Sequence, residues 1–188
     1  MLLNEYQQKT SETAIYPNEE TEVNEITDDL FKSFGRMVSD LSIISNAVKK
    51  TIRDDNCKVS EKRLDDMNKG LNQLVLEMIR MRSIMEYPPN NEDDPMVPYS
   101  GEKIARLYTS TGIIDEGLEY FEKCNAINGN ETEKELHAIE DELGDVNWYV
   151  NQAATSIYAD TEKICRRNLA KLMNRKEDGV LSGDGDKR

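Results

Sequence analysis

The sequence predicts an all-α protein, four-helix bundle-like, with shorter helices flanking the bundle. Three observations predict it. Charged residues make up 32% of the 188 positions and aromatics only 6%, with ten glycines and five prolines, a balance that suits long amphipathic helices better than a sheet. Apolar residues recur at spacings of three and four along four long stretches. One proline-rich segment divides those stretches into two pairs, so each pair reads as a helical hairpin.

Residues 1–26 read as an N-terminal helix and loop. Positions 2–14 suit a short helix stopped at the Tyr16-Pro17 step, and the acidic run NEETEVNE follows as loop. Residues 27–86 read as the first hairpin. Thr27 with Asp28 and Asp29 opens its first helix, placing acids in the electropositive first turn. Leu30, Phe34, Met37, Leu41, Ile44 and Val48 then form one stripe, which fades near Asp54-Asp55-Asn56. Ser60 can cap the second helix, with Leu71, Leu74, Val75, Met78 and Met85 along one face.

The run YPPNNEDDPMVPYSG, residues 87–101, is the clearest linker, with four prolines among Asn, Asp and Gly. Residues 102–176 read as a second hairpin followed by a basic helix. Its first helix spans about Lys103 to Ala126, and Asn128-Gly129-Asn130 turns the chain. Asn130 followed by Glu133 resembles a capping box opening the next helix, about 131–157, with a stripe of Leu136, Ile139, Leu143, Val146, Val150 and Ala153. Asp160 caps a last helix carrying Ile164, Leu169 and Leu172. Residues 177–188, EDGVLSGDGDKR, read as a flexible tail. Neither hairpin can bury both of its stripes alone, so a homodimer or higher homo-oligomer is expected.

A formal charge of −13 argues against a nucleic-acid polymer as partner, which needs basic surface to displace counterions. It argues equally against docking on an anionic membrane. It leaves nucleotides open, because a divalent cation can mediate between carboxylates and phosphates. Cys57, Cys124 and Cys165 form no CxxC and read as reduced thiols. With His137 the sole histidine, imidazole-based metal or triad chemistry has nothing to build on. The start MLLNEYQQKT has no basic, apolar leader pattern and no run is long enough to span a bilayer, so a cytoplasmic protein is expected.

Residues three apart on a helix share a face. Glu116 with Glu119, and Glu142 with Asp145, form two such acidic pairs on the two helices of the second hairpin. If these helices are antiparallel neighbours, four carboxylates gather in one pocket and repel one another unless a hard cation joins them. With 37 acids in the chain, however, such pairs also arise by chance on solvated faces, and spacing alone is weak support.

The surrounding sequence says more. GIIDEGLE (112–119), then ELGDVNWYV (142–150), then NLAKLMNR (168–175) resembles the ordered signature of the MazG-like, all-α NTP pyrophosphatases: an ExxE pair, a turn, an ExxD pair and a basic helix. The stretches LNEYQQKTSETAIYP and GVLSGDGDKR look like the flanks of phage-encoded members, so the resemblance covers about residues 2–17 and 108–188. Gly117-Leu118 stands where members often have two small residues, and Asn147 where an apolar residue is usual.

The resemblance implies the all-α NTP pyrophosphatase fold and, for a phage-encoded chain, the host cytoplasm. It implies Mg²⁺, with Mn²⁺ as the alternative, held by Glu116, Glu119, Glu142 and Asp145. The reaction it implies is attack of water on the α-phosphorus of a nucleoside triphosphate, with Glu119 the candidate to activate the water. Lys123, Asn168, Lys171 and Arg175 are candidate phosphate donors, each weighed against an ordinary solvated helix charge. Of Trp148 and Tyr149, one fills core and the other borders the base, in an order the sequence leaves open. Lys187 or Arg188 could close over the phosphates from the tail.

The segment 45–81 resembles the family's stretch from just after ExxE through ExxD, as a degenerate copy of the same hairpin. In that alignment the acidic positions fall on Asp40, Ile43, Gly70 and Gln73, so one ligand of four survives and the first hairpin should hold no metal. The competing account is an unrelated helical insertion of similar composition. For the whole chain, two alternatives to an enzyme stand beside the pyrophosphohydrolase: a nucleotide-binding protein without turnover, acting as a sponge, and a purely structural helical adaptor.

Overall fold

The computed structural model describes residues 2–16, 19–86, 95–127 and 129–180. Pro17, the 87–94 part of the proline-rich segment, Asn128 and the tail from 181, with Lys187 and Arg188, lie outside the described residues. The elements run α1 (Leu3–Glu12), β1 (Thr21–Asn24), α2 (Glu25–Arg53), α3 (Glu61–Met85), β2 (Met96–Tyr99), α4 (Gly101–Asn125), α5 (Glu133–Ser156) and α6 (Thr161–Glu177). The all-α class holds. The two four-residue strands pair with each other, where sequence suggested loop and linker, and both are too short to carry an alternation signal. Among the described residues no helix is long and apolar enough to cross a membrane.

The chain forms two compact units, one of residues 1–21 and 99–174, the other of 22–98 and 175–188. In the second of these, α2 and α3 pack as an antiparallel hairpin. Asn24 caps α2 by accepting from the Thr27 N–H at 2.9 Å, so the helix starts earlier than the Thr27-Asp28-Asp29 signal implied. Arg36 Nε donates to Glu77 Oε2 at 2.8 Å and Ser33, fully buried, donates to the same oxygen at 3.3 Å. The guanidinium of Arg36 accordingly holds the Glu77 carboxyl below its ordinary range. Further along, Gly70 lies against α2, where a Cβ would sit 2.8 Å from Ile44 Cγ1 and 3.0 Å from the Asp40 carbonyl oxygen. At the turn, buried Arg63 donates to Asp55 at 2.9 Å, and Asn56 and Cys57 adopt left-handed φ of 51° and 59°.

The stripes of this hairpin have helical period but are only partly covered. Phe34, Val48, Leu71, Val75, Met78 and Met85 are all exposed by more than a third, while the seam itself is lined by Ser33, Ala47, Thr51 and Gly70. Small side chains at the seam let the two backbones approach closely and leave the large ones splayed to either side.

In the other unit, α4 and α5 form a second antiparallel hairpin and α1 lies along α5. Ser100 caps α4. Thr132, rather than Asn130, caps α5: its hydroxyl accepts from the Glu135 N–H at 3.3 Å while the Glu135 carboxylate takes the Thr132 N–H at 2.7 Å. The contact between α1 and α5 is polar. Gln152, fully buried, donates to Thr10 Oγ1 at 2.6 Å and accepts from the Tyr16 hydroxyl at 3.1 Å. The Gln7 amide spans the α5–α6 joint, donating to Ala159 O at 2.8 Å and accepting from Thr161 N–H at 2.9 Å. Asp160 caps α6 as its sequence suggested, accepting from the Lys163 N–H at 2.9 Å.

Candidate metal centre

Helix α4 presents Glu116, Glu119 and Lys123 on successive turns of one face, and α5 brings Glu142 opposite them. Glu116, Glu119 and Glu142 each offer one carboxylate oxygen, and these oxygens lie within 4.8 Å of one another. Three hard oxygen donors at that spacing, contributed by two facing helices, fit a divalent cation. Their burial is graded: Glu142 is 7% exposed, Glu116 half-buried and Glu119 exposed. Asp145, exposed one turn after Glu142, is outside the tight trio but close enough to act on Glu116 through its charge.

The electrostatics match a site with excess negative charge. Burial pushes the Glu116 carboxyl above its ordinary range, and Asp145, Glu119 and Glu142 push it further in the same direction. Lys123 makes a close ion pair with Glu142 and also donates to the Ala138 carbonyl at 3.3 Å. The Glu142 contact raises the Lys123 ammonium above its ordinary value. Lys123 further lines a cavity of about 170 Å³ with Ala126, Ile127, Asn130, Ala138 and Ile139.

Tyr149 and Trp148 take different places. Tyr149 packs across the hairpin seam onto Gly112, where a Cβ would fall 2.1 Å from its ring. A hydrogen bond with Tyr108, followed by burial, raises its hydroxyl to about 12. Trp148 sits edge-on to the Tyr149 ring at 4.8 Å and donates from Nε1 to Thr13 Oγ1 at 2.8 Å, just past α1. Tyr16 stacks on Tyr108 at 5.1 Å and completes the aromatic group. Leu118 is half exposed, away from the seam, and Asn147 accepts from Asn151 Nδ2 through its backbone and side-chain oxygens.

On α6, Asn168 and Lys171 are exposed, while Arg175 is buried and belongs to the unit of residues 22–98 and 175–188. The structure therefore brings together Glu116, Glu119, Glu142 and Lys123, with Asp145 beside them. Sequence reasoning missed Tyr108, Thr109 and Gln152. Thr109 carries a faint signal, being small and four residues past Ala105 on the α4 seam, whereas nothing local marks Gln152 as buried.

Residues 109–180 match the family model of the MazG nucleotide pyrophosphohydrolase domain, a span that takes in every candidate site residue within the described chain. The Gene 37 protein of Mycobacterium phage L5 is 36% identical over 85 residues, an alignment covering 43% of this chain and 75% of that one. No solved structure matches the chain.

Proposed function

The chain belongs to the MazG nucleotide pyrophosphohydrolase domain family, and from that premise we propose that it hydrolyses a nucleoside or deoxynucleoside triphosphate to monophosphate and pyrophosphate with Mg²⁺. The observation that carries this reading is the convergence of the Glu116, Glu119 and Glu142 carboxylates within 4.8 Å, inside the matched span. When bound, Mg²⁺ offsets charge on the triphosphate and polarises its phosphoryl oxygens.

The chain's own residues supply the rest. Glu142, buried, and Glu116, half-buried, are the fixed ligands, with Asp145 as the fourth acid. Glu119 is the most solvent-open of the trio and so the group best placed to orient a water and take its proton. The water oxygen bonds to the α-phosphorus as the bond to the bridging oxygen breaks, and pyrophosphate leaves. Lys123, already among the acids, is the nearest candidate donor to the phosphates. Asn168 and Lys171, exposed on α6, are the further candidate donors.

The test is a panel of ribo- and deoxynucleoside triphosphates with Mg²⁺, assayed separately for pyrophosphate and orthophosphate. Pyrophosphate from at least one substrate, lost on chelation, is the expected result. Orthophosphate in its place moves the chain to another reaction. Tight binding with no product leaves the sponge.

A further inference from the structure

We infer that Lys123 is a built-in counter-ion for the carboxylate cluster: it holds Glu142 when no divalent cation is bound and yields that carboxylate when one binds, turning its ammonium to the substrate phosphates. The inference rests on the reading of Glu116, Glu119 and Glu142 as metal ligands and adds a competition to it.

Three observations carry it. First, the ammonium is gripped at two points one turn apart on α5, the Glu142 carboxylate and the Ala138 carbonyl, so it is directed at the cluster and does not trail into solvent. Glu142 is 7% exposed, so few waters reach its carboxylate and the Lys123 ammonium stands as its polar partner. Second, the Glu142 oxygen that completes the trio lies on the same carboxylate Lys123 occupies, so ammonium and divalent cation draw on one anion. The Lys123 side chain is 37% exposed and lines the neighbouring cavity, which leaves it room to move aside.

Third, the first hairpin supplies a comparison in which both charges are missing. The register that sets Gly70 in the place of Glu142 sets Ala47 in the place of Lys123, and Ala47 is 2% exposed, shut within the helix seam. Where the acid is gone the cation is gone with it. A lysine kept only for solubility would have no reason to follow the acid.

The experiment compares wild type, Lys123→Met and Lys123→Arg by calorimetric titration with Mn²⁺, together with melting temperature in chelator. Lys123→Met keeps the length of the side chain and removes its charge. It should bind Mn²⁺ more tightly, by roughly threefold or more, since one competing ion pair is removed. In chelator it should melt below wild type, because Glu142 has lost its partner. Its KM for the triphosphate should rise even as metal affinity improves, an opposition that general loosening of the fold does not produce. Lys123→Arg should stay near wild type in Mn²⁺ affinity. Equal or weaker Mn²⁺ binding by Lys123→Met overturns the role of Lys123 alone. A wild type that binds no Mn²⁺ overturns the metal reading, and this inference with it.

Discussion

Where α4 and α5 face each other around Glu142, three carboxylates and an ammonium occupy the gap; where α2 and α3 face each other around Gly70, backbone meets backbone and isoleucine. If the first hairpin is a degenerate copy of the second, these are the same place in two hairpins; Gly70 does lie against Asp40 and Ile43, the partners that this register assigns it. The correspondence extends a helical turn or two further. Arg36 touches Glu77 across the first seam, and Gly112 touches Tyr149 at the matching positions of the second, while Ser33 and Thr109 are each fully buried beside these contacts. These matches are what a repeat would give, and they also follow from the antiparallel register of each hairpin. The seam around Glu142 sets an ammonium beside its carboxylates, whereas the seam around Gly70 closes on backbone and isoleucine.

The comparison breaks most visibly at Glu142. Glu142→Gln, or Asp145→Asn, should lower turnover on the order of a hundredfold or more, the scale of removing a group that positions metal or moves a proton. Helical content by circular dichroism should be unchanged. A variant of either residue with full Mg²⁺-dependent pyrophosphate release would remove the acids from the site and leave the two hairpins functionally alike.

The next effect is smaller and has opposite signs in the two hairpins. Arg36 holds Glu77 below the ordinary value of 4.5, so the native state favours its ionised form. The stability it contributes is complete above 4.5 and is lost as pH falls through the lowered value. Burial and three neighbouring acids hold Glu116 above 4.5. Between 4.5 and its raised value the native state binds the extra proton, so stability falls as pH rises through that window. In chelator, Glu116→Gln should therefore melt above wild type near neutral pH and lose that advantage below 4.5. Glu77→Gln should melt below wild type near neutral pH and converge with it in strong acid. Shifts of a few degrees are expected, since both carboxylates are partly screened by solvent. Two variants with the same pH trend would contradict the contrast between the seams.

Much of this contrast could be read from residues alone, for reasons that also explain the misses. ExxE and ExxD spacing places each carboxylate pair on one face of its own helix, which follows from helix geometry, whereas the meeting of the two faces depends on how the helices pack. Caps were harder, because competing signals of the same form lie close together. Asn130-Glu133 and Thr132-Glu135 share one spacing, and only the three-dimensional turn selects the second. The apolar stripes gave the helices correctly, but stripe membership did not mean burial: Met78, on the stripe of the second helix, is 52% exposed. Gln152 shows the opposite limit. Its burial depends on Thr10 and Tyr16, more than a hundred residues away, and no local pattern encodes that meeting.

The smallest expected effect is at Asp40, the one acid of the first hairpin that the alignment sets on a ligand position. Asp40→Ala should leave kcat and KM within error of wild type. The Asp40 backbone lies against Gly70, which has no side chain, and Asp40 shares its helix face with Ile43, the position aligned with Glu119 of the second hairpin. A single carboxylate so placed competes poorly with water for Mg²⁺, which leaves hydration only for several hard ligands together. The part of Asp40 that the seam uses is its carbonyl oxygen, 3.0 Å from where a Gly70 Cβ would stand, and alanine keeps that atom in place. Alanine is also the better helix former, by about half a kcal/mol, so the fold has no reason to weaken. A well-folded Asp40→Ala protein with turnover reduced tenfold or more would mean that the first hairpin takes part in the chemistry.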